Sequence, residues 1–178
     1  TGVLARVPLA MTAVWRGASE RANGELVSGN FFDVLGIQPA LGRLFTAADD
    51  QTPGGHPVAV ISHGYWQRRF GGDPAILNQT LTVNGYPLTI VGVSVRGFTG
   101  VQVGQGADLM VPIMMKAQMT PTWNDLDNRR SRWLTVMARL KPGISRKQAE
   151  AAMNVVYRQI NEQEIKDVSD VSESFRQR

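Results

Sequence analysis

The sequence predicts an α+β fold, and three stretches carry this prediction. Residues 58–61 form an unbroken apolar run rich in β-branched side chains, which is typical of a buried strand. Asn84 and Gly85 separate two alternating runs and predict a tight hairpin, because both residues tolerate a positive φ. Residues 145–160 carry apolar side chains three or four positions apart, as an amphipathic helix does.

The first part of the chain predicts two strands and a short helix. The strands are expected at residues 11–15 and 24–27. Residues 28–30 offer capping side chains for a helix over residues 31–35, and Gly36 then ends that helix. The acidic segment that follows, residues 47–55, ends in turn-forming residues, so we expect an exposed loop there.

Between residues 58 and 91 the pattern predicts a strand, a helix and the hairpin. Ser62 is suited to cap a helix that carries Trp66 and Phe70 on one face, and Gly71 suits the end of that helix. The hairpin turn sets the cross-strand register. The expected cross-strand pairs are Val83 with Tyr86 and Leu81 with Leu88.

The last third of the chain predicts two more strands and a helix. In the strand at residues 108–113, Pro112 favours an edge position, because proline lacks the backbone donor that a central strand needs. Ser145 and Gln148 form a capping box at the start of the final helix. Four alternating residues predict one buried strand face: Leu134, Val136, Ala138 and Leu140. Three methionines predict a soft apolar surface: Met114, Met115 and Met119.

Composition narrows the functional classes. With 178 residues, 43% of them hydrophobic, the chain fits one domain, or one domain with two lobes. The net charge is only +4 and the densest basic cluster is Arg129, Arg130 and Arg132, so we expect no nucleic-acid partner. The absence of cysteine excludes disulfides and thiolate chemistry. No stretch reaches the ~20 apolar residues of a membrane-spanning helix.

The histidines and the serine beside one of them do not form a recognisable site. His56 and His63 flank the strand predicted at 58–61, and they lack the HxH or HExxH spacing of metal ligands. Ser62 precedes His63, but no G-x-S-x-G elbow surrounds it, and helix capping explains it better. We therefore expect no ligand or nucleophile among these residues.

Two carboxylate pairs could in principle hold a cation or act in acid–base chemistry. They are Asp49 with Asp50, and Asp125 with Asp127. Neither pair matches a calcium loop, and both are typical of solvated loops. The glycines at 104 and 106 lack the lysine of a phosphate-binding loop. The sequence therefore predicts no catalytic, cofactor-binding or metal-binding residue, and no cofactor.

Short motifs follow one another in a fixed order along residues 23–160. They are VSGNFFDVLG at 27–36, PALGRLF at 39–45, VAVIS at 58–62, WQRRFGGDP at 66–74, the hairpin ending IVGV at 90–93, GF at 97–98, DLMVP at 108–112 and RLKPGIS at 139–145. In this order they resemble the MacB-like periplasmic core domain of ABC transporter permeases, within the FtsX-like permease family. Several ordered motifs are far more specific than any single one.

The resemblance implies a two-lobed extracytoplasmic domain, located on the periplasmic side of the bacterial inner membrane. It implies one domain over residues 1–178, with a tail or linker at 166–178. The porter-like α/β lobe is expected at about 1–45 together with 129–165, and a mainly β lobe at about 46–128. Because the chain begins after the family's first strand and helix, we expect the porter-like lobe to be incomplete.

The resemblance also implies the partners of a complete transporter. These are the protein's own transmembrane helices, a cytoplasmic ATPase, a second permease copy in a dimer, and an envelope adaptor or outer-membrane protein. The leading hypothesis is that the domain passes ATP-driven helix motion to cargo or a partner outside the membrane, as an efflux or export component with no chemistry of its own. Two alternatives remain: a stand-alone envelope binding or adaptor module, and a soluble envelope hydrolase that uses Asp125 or Asp127.

Overall fold

The computed structural model describes residues 2–102, 104, 106–128 and 131–166, and these form a mixed α+β structure. The predicted fold class is confirmed. The chain divides into two compact units, Gly2–Ala138 and the residues from Arg139 onwards.

Eight strands and four helices make up the described structure. In chain order they are β1 (Gly2–Trp15), β2 (Ala18–Val27), α1 (Phe31–Leu35), β3 (Pro39–Gly42), β4 (Val58–Ile61), α2 (His63–Phe70), β5 (Thr80–Val83), β6 (Tyr86–Ser94), β7 (Leu109–Pro112), α3 (Lys116–Met119), β8 (Thr135–Arg139) and α4 (Arg146–Lys166). Single 3₁₀ turns cover Ala47–Asp50, Pro74–Ile76 and Ile113–Met115.

Six strands of the larger unit form a ring, which we call the closed sheet. The hydrogen-bonded order is β2, β7, β4, β6, β5 and β1, and β1 pairs again with β2. The long β1–β2 hairpin closes the ring, with ten residue pairs from Arg6 opposite Val27 to Trp15 opposite Ala18. Outside the ring, β3 pairs with β6, and β8 lies next to β1.

The interior of the closed sheet is one continuous apolar core. Each of its six strands contributes alternate side chains to this core, as the two-residue repeat of a strand requires. The strand residues in this buried cluster are Met11, Ala13, Ala22, Leu26, Ala59, Ile61, Leu81, Val83, Leu88, Ile90, Val93, Leu109 and Val111.

A second apolar cluster covers part of the outer face. Helix α1 packs Phe31 and Phe32 there, and the Phe32 ring lies 5.7 Å from that of Phe45. Val27 and Met110 point to this side, whereas their chain neighbours Leu26 and Leu109 point into the ring. The sheet is therefore buried on both faces here, which explains the unbroken apolar runs in the sequence.

The predicted hairpin and helix ends are confirmed. Val83 pairs with Tyr86 and Leu81 with Leu88, and Asn84 and Gly85 have φ values of 50° and 82°. Gly36 and Gly71 end α1 and α2 in the left-handed conformation. A second tight turn, at Arg16 and Gly17 with φ values of 50° and 81°, joins β1 to β2.

Two predictions about the middle of the chain are wrong. Pro112 does not lie on an edge strand, because β7 runs between β2 and β4. The missing donor is tolerated at the last residue of β7, since β4 pairs only with Leu109 and Met110. The methionines do not form an apolar surface either, because the 3₁₀ turn and α3 point Met115 and Met119 into the core.

The strand pairing crosses the lobe boundary expected at residue 45. β1 and β2 hydrogen-bond directly to β5 and β7, and they contribute side chains to the shared core. The β1–β2 hairpin is needed to close the ring, so it does not build a core of its own.

β8 is present, but the face predicted to be buried is exposed. Val136 is 59% exposed, and Ala138 also faces solvent. The half-buried residue of this strand is Met137, which packs against the outer apolar cluster. Alternation indicated the right strand but the wrong face, because the pattern does not say which neighbour covers it.

The second unit contains α4 and the turn before it. Ser145 and Gln148 form the predicted capping box, with Gln148 Oε1 accepting from Ser145 N at 2.8 Å and Gln148 N donating to Ser145 Oγ at 3.3 Å. The helix continues to Lys166, beyond the apolar pattern at residues 145–160. Apart from its first residue, the tail predicted at 166–178 lies outside the described residues.

Candidate functional site

Ser62 caps a helix, as the sequence predicts. Ser62 Oγ accepts a hydrogen bond from Tyr65 N at 3.2 Å and so caps α2. The His63 ring packs edge-on against Trp66, with centroids 5.4 Å apart. His56 Nδ1 is buried and has no hydrogen-bond partner within the described part of the chain. No nucleophile–base pair is formed by Ser62 and His63 in this arrangement.

Asp49 is buried and Asp50 is half-buried, contrary to the expectation that both lie in a solvated loop. Both oxygens of Asp49 accept from Arg43, each at 2.8 Å, and this hydrogen bonding lowers the pKa of Asp49 to about 2. Asp50 accepts from Gly29 N at 3.0 Å and Met114 N at 2.8 Å. Burial raises the pKa of Asp50. The two carboxylates therefore join the 3₁₀ turn at 47–50 to three other segments.

Asp125 belongs to a cluster that organises the connection after α3. It accepts from Trp123 Nε1 at 2.7 Å and from Ser131 Oγ at 2.5 Å, and these bonds lower its pKa. Asp127 is exposed. The side chain of Asp125 is thus committed to holding a loop, which weakens the hydrolase alternative.

Lys116, which sequence reasoning missed, is the buried centre of the same cluster. Its Nζ donates to Thr120 Oγ1 and to the Trp123 carbonyl, each at 2.5 Å. The Nζ atom also lies 3.9 Å from the Trp123 ring and 5.1 Å from the Trp133 ring. Burial lowers the pKa of Lys116. No pattern in the sequence distinguishes this lysine, because its partners come from loop geometry.

A polar cluster links α2 to β2, and it consists of Tyr65, Glu20 and Arg69. The Tyr65 hydroxyl donates to Glu20 Oε1 at 2.5 Å, and Arg69 Nε lies 3.1 Å from the same carboxylate oxygen. Burial, followed by the hydrogen bond to Glu20, raises the pKa of Tyr65. A tyrosine with a raised pKa stays protonated, so this hydroxyl is a structural donor.

A buried ion pair between Arg6 and Glu25 is the most unusual polar feature of the closed sheet. Each residue is 2% exposed, and Arg6 Nη2 lies 2.5 Å from Glu25 Oε1. Arg6 Nη1 donates to Gln102 Oε1 at 3.1 Å. Burial raises the pKa of Glu25, although Arg6 opposes the shift. The sequence contains a weak signal for this pair, since Arg6 interrupts an otherwise apolar start of β1.

Helix α4 carries a row of exposed apolar side chains, which we call the α4 stripe. Met153 is 61% exposed, and its neighbours along the row are similarly accessible. The members of the stripe are Met153, Val156, Tyr157 and Ile160. The sequence predicts the apolar periodicity of this helix, and the structure adds that each of these four side chains is about half exposed or more.

Neither a metal-binding cluster nor a membrane-spanning helix is found in the described residues. No group of three or more histidine, aspartate or glutamate side chains there could hold a metal ion. None of the helices described is long and apolar enough to cross a membrane.

Comparison with known proteins identifies one family. The model of the MacB-like periplasmic core domain matches residues 2–156. No curated protein sequence matches the chain.

Three solved structures share this fold, and two of them cover most of the chain. The periplasmic region of MacB from Actinobacillus actinomycetemcomitans has a TM-score of 0.66 and 17% identity, over 96% of this chain and 78% of that one. A domain assigned to a permease protein from Porphyromonas gingivalis has a TM-score of 0.61 and 19% identity, over 89% and 70%.

A third similar structure is the extracellular domain of YknZ, a noncanonic ABC-type transporter from Gram-positive bacteria. Its TM-score is 0.54 and its identity is 22%, over 67% of this chain. The matched region spans 58% of the YknZ domain. At these identities the three structures establish the shared fold.

Proposed function

Because the chain belongs to the family of MacB-like periplasmic core domains, we propose that it is the extracytoplasmic part of an ABC-type export permease. The observation that carries this proposal is the family match over residues 2–156. In this role the domain works outside the inner membrane, together with the transmembrane helices of its own protein and a cytoplasmic ATPase.

We further propose that the domain transmits motion and performs no chemistry. ATP hydrolysis on the cytoplasmic side moves the membrane helices, and the domain carries that movement to cargo or to an envelope partner. Two features support this role. The closed sheet is a stiff body with a packed interior, and the α4 stripe is an apolar surface of the kind that contacts other protein segments.

Location is tested by labelling whole cells with a membrane-impermeant maleimide. The sequence has no cysteine, so Glu150→Cys on the exposed part of α4 introduces one reactive thiol into this domain. Any native cysteines elsewhere in the parent permease are first replaced by serine. We expect labelling in cells whose inner membrane is intact. Leu81→Cys, at a fully buried position, is the matched control and should react only after denaturation. Labelling of Glu150→Cys only after the inner membrane is broken would contradict the proposed location.

Motion is tested with spin labels on the same cysteine in both copies of the complete transporter. We expect the distance between the labels to differ between the ATP-bound and nucleotide-free states. An unchanged distance distribution would refute the transmission of motion.

A further inference from the structure

A half-open cavity of about 300 Å³ lies beside the turn that joins β1 to β2. Every residue that lines it belongs to the part of the chain that the structure describes. Trp15, Phe70 and Ile76 form the apolar part of the lining, and the first two rings pack edge-to-face with centroids 5.4 Å apart. The cavity therefore has the size and the apolar surface of a small-ligand site.

Arg16 places a positive charge at the rim of this cavity. Its guanidinium carbon lies 5.3 Å from the centre of the Trp15 ring, and the residue is exposed to solvent. Contact with the aromatic face holds the guanidinium in position and leaves its N–H donors available. A ligand in the cavity can therefore reach this cation from solvent.

The backbone at Arg16 is a second and independent observation. Arg16 and Gly17 have φ values of 50° and 81°, which nearly repeat the 50° and 82° of Asn84 and Gly85 in the other tight hairpin turn. Asparagine adopts a positive φ readily, whereas arginine does so at a cost. Residues held in a costly conformation concentrate at functional sites. The arginine at this turn therefore points to a role for its side chain.

The other charged groups of the lining already have partners. Arg69 Nη2 donates to the Ala18 carbonyl at 2.9 Å, and its buried Nε lies 3.1 Å from Glu20 Oε1. Asp73 Oδ1 accepts from Ala75 N at 2.9 Å. Within the described residues, the guanidinium at the rim is thus the one charged group of the lining without a polar partner. An anion would complete this arrangement.

We propose that this cavity binds a carboxylate attached to an apolar group, with the carboxylate on Arg16 and the apolar group against Trp15 and Phe70. The planar guanidinium matches a carboxylate through two parallel hydrogen bonds, and burial of the apolar group adds to the affinity. The carboxylate can belong to a small molecule or to the last residue of a peptide, and both share this chemistry. The site does not rest on the transport function proposed above.

The binding test uses nuclear magnetic resonance of the 178-residue chain, with 3-phenylpropionate as the probe. We expect the Trp15 indole N–H and the Arg16 Nε–H signals to shift with millimolar affinity, because a ligand of few atoms has limited binding energy. If neither signal shifts up to the solubility limit of the probe, the proposal is wrong.

Three analogues test which part of the probe is recognised. The neutral 3-phenylpropionamide lacks the charge and propionate lacks the ring, so each should bind at least about tenfold more weakly. The cation 2-phenylethylammonium should also bind more weakly, because Arg16 repels it. Binding of this cation as tightly as the probe would show that Asp73 holds the ligand instead, and equal binding of the neutral amide would show that charge is not recognised. Either result would overturn the proposal.

A tripeptide distinguishes the two sources of the carboxylate. Glycyl-glycyl-phenylalanine carries the same ring and a free C-terminal carboxylate. If it binds more tightly than 3-phenylpropionate, and its C-terminal amide does not, the ligand is the end of a peptide. If it binds no more tightly, the ligand is a small carboxylic acid.

Variants separate binding from folding. Arg16→Asn installs the residue that the other hairpin turn uses, so the urea midpoint should stay equal or rise while the affinity for 3-phenylpropionate falls about tenfold. Arg21→Asn is the matched control, because it removes the same charge from an exposed residue of β2 outside the lining. In ~0.15 M salt, where distant charges are screened, it should leave the affinity unchanged. Equal affinities of Arg16→Asn and wild type, or equal losses in both variants, would refute the assignment.

Discussion

The side chain of Met11 occupies the space that a β-carbon on Gly24 would need. The two residues lie on neighbouring strands of the β1–β2 hairpin, and a Cβ built at Gly24 would overlap the sulfur and two carbons of Met11. The Met11 side chain is 1% exposed and belongs to the core of the closed sheet. The absence of a side chain at residue 24 is therefore part of how the ring is filled.

Gly24→Ala should destabilise the protein by about 1–3 kcal/mol, because it overpacks a filled core. The measurement is the free energy of unfolding from urea titration. Gly64→Ala is the matched control, since nothing lies within 4 Å of a Cβ placed there and residue 64 lies within α2. The free energy of unfolding of Gly64→Ala should rise by up to about 1 kcal/mol, because alanine has a higher helix propensity than glycine. Equal effects of the two substitutions would contradict the packing explanation.

The Arg43–Asp49 pair should make stability depend on acid pH. The pKa of Asp49 falls from 3.8 to about 2 in the folded protein, so the folded state favours the carboxylate. This contribution is complete above pH 3.8 and is lost as the pH falls towards 2. Asp49→Asn should therefore cost about 1–2 kcal/mol at neutral pH, a range that allows for the half-exposed Arg43 side chain.

The difference in unfolding free energy between wild type and Asp49→Asn should shrink as the pH falls through that window. Glu150→Gln on the exposed face of α4 is the control and should run parallel to wild type. A constant gap for Asp49→Asn between neutral pH and the folded pKa would show that its charge makes no contribution.

The Tyr65 hydroxyl should stabilise the contact between α2 and β2. Tyr65→Phe removes the donor at 2.5 Å from Glu20, and we expect a cost of about 1.5–3 kcal/mol because the acceptor is charged. Tyr86→Phe, at a half-buried hairpin position, is the control and should change stability by less than about 0.5 kcal/mol. Chemical denaturation measures both variants, and a cost at Tyr65 no larger than that at Tyr86 would exclude this role.

Lys116 should stabilise the loop after α3 that contains Trp123 and Trp133. Lys116→Met keeps the length of the side chain but loses the donors to Thr120 and to the Trp123 carbonyl. We therefore expect the free energy of unfolding to fall by about 1–3 kcal/mol. Tryptophan fluorescence should change at the same time, because both rings contact Nζ. Lys147→Met on exposed α4 is the control. Unchanged fluorescence in Lys116→Met would contradict a role in ordering the loop.

Local chemistry made much of the fold predictable. The Asn84 and Gly85 turn, the Ser62 cap and the glycine at position 71 each depend on residues adjacent in sequence, and all three predictions are confirmed. Alternation also located β8 and the periodicity located α4. These signals describe how a segment is built, and they are independent of its neighbours.

The features that the sequence did not predict depend on contacts between segments that lie far apart in the chain. Neither closure of the ring nor the central position of β7 can be inferred from one strand, because pairing partners lie far apart in the chain. The buried charges at Arg6, Glu25 and Lys116 have the same origin: each is placed by a partner that the local sequence does not identify. The burial of Asp49 and the partial burial of Asp50 were not predicted, because acidic loop residues are usually exposed.

Ring closure has a mechanical consequence. An open sheet has an edge strand whose hydrogen bonds can break one at a time under tension. In the closed sheet every strand is hydrogen-bonded to a neighbour on each side. To detach one strand, a pulling force must break its hydrogen bonds to both neighbours at once. The closed sheet should therefore resist gradual fraying and unfold in a single abrupt step.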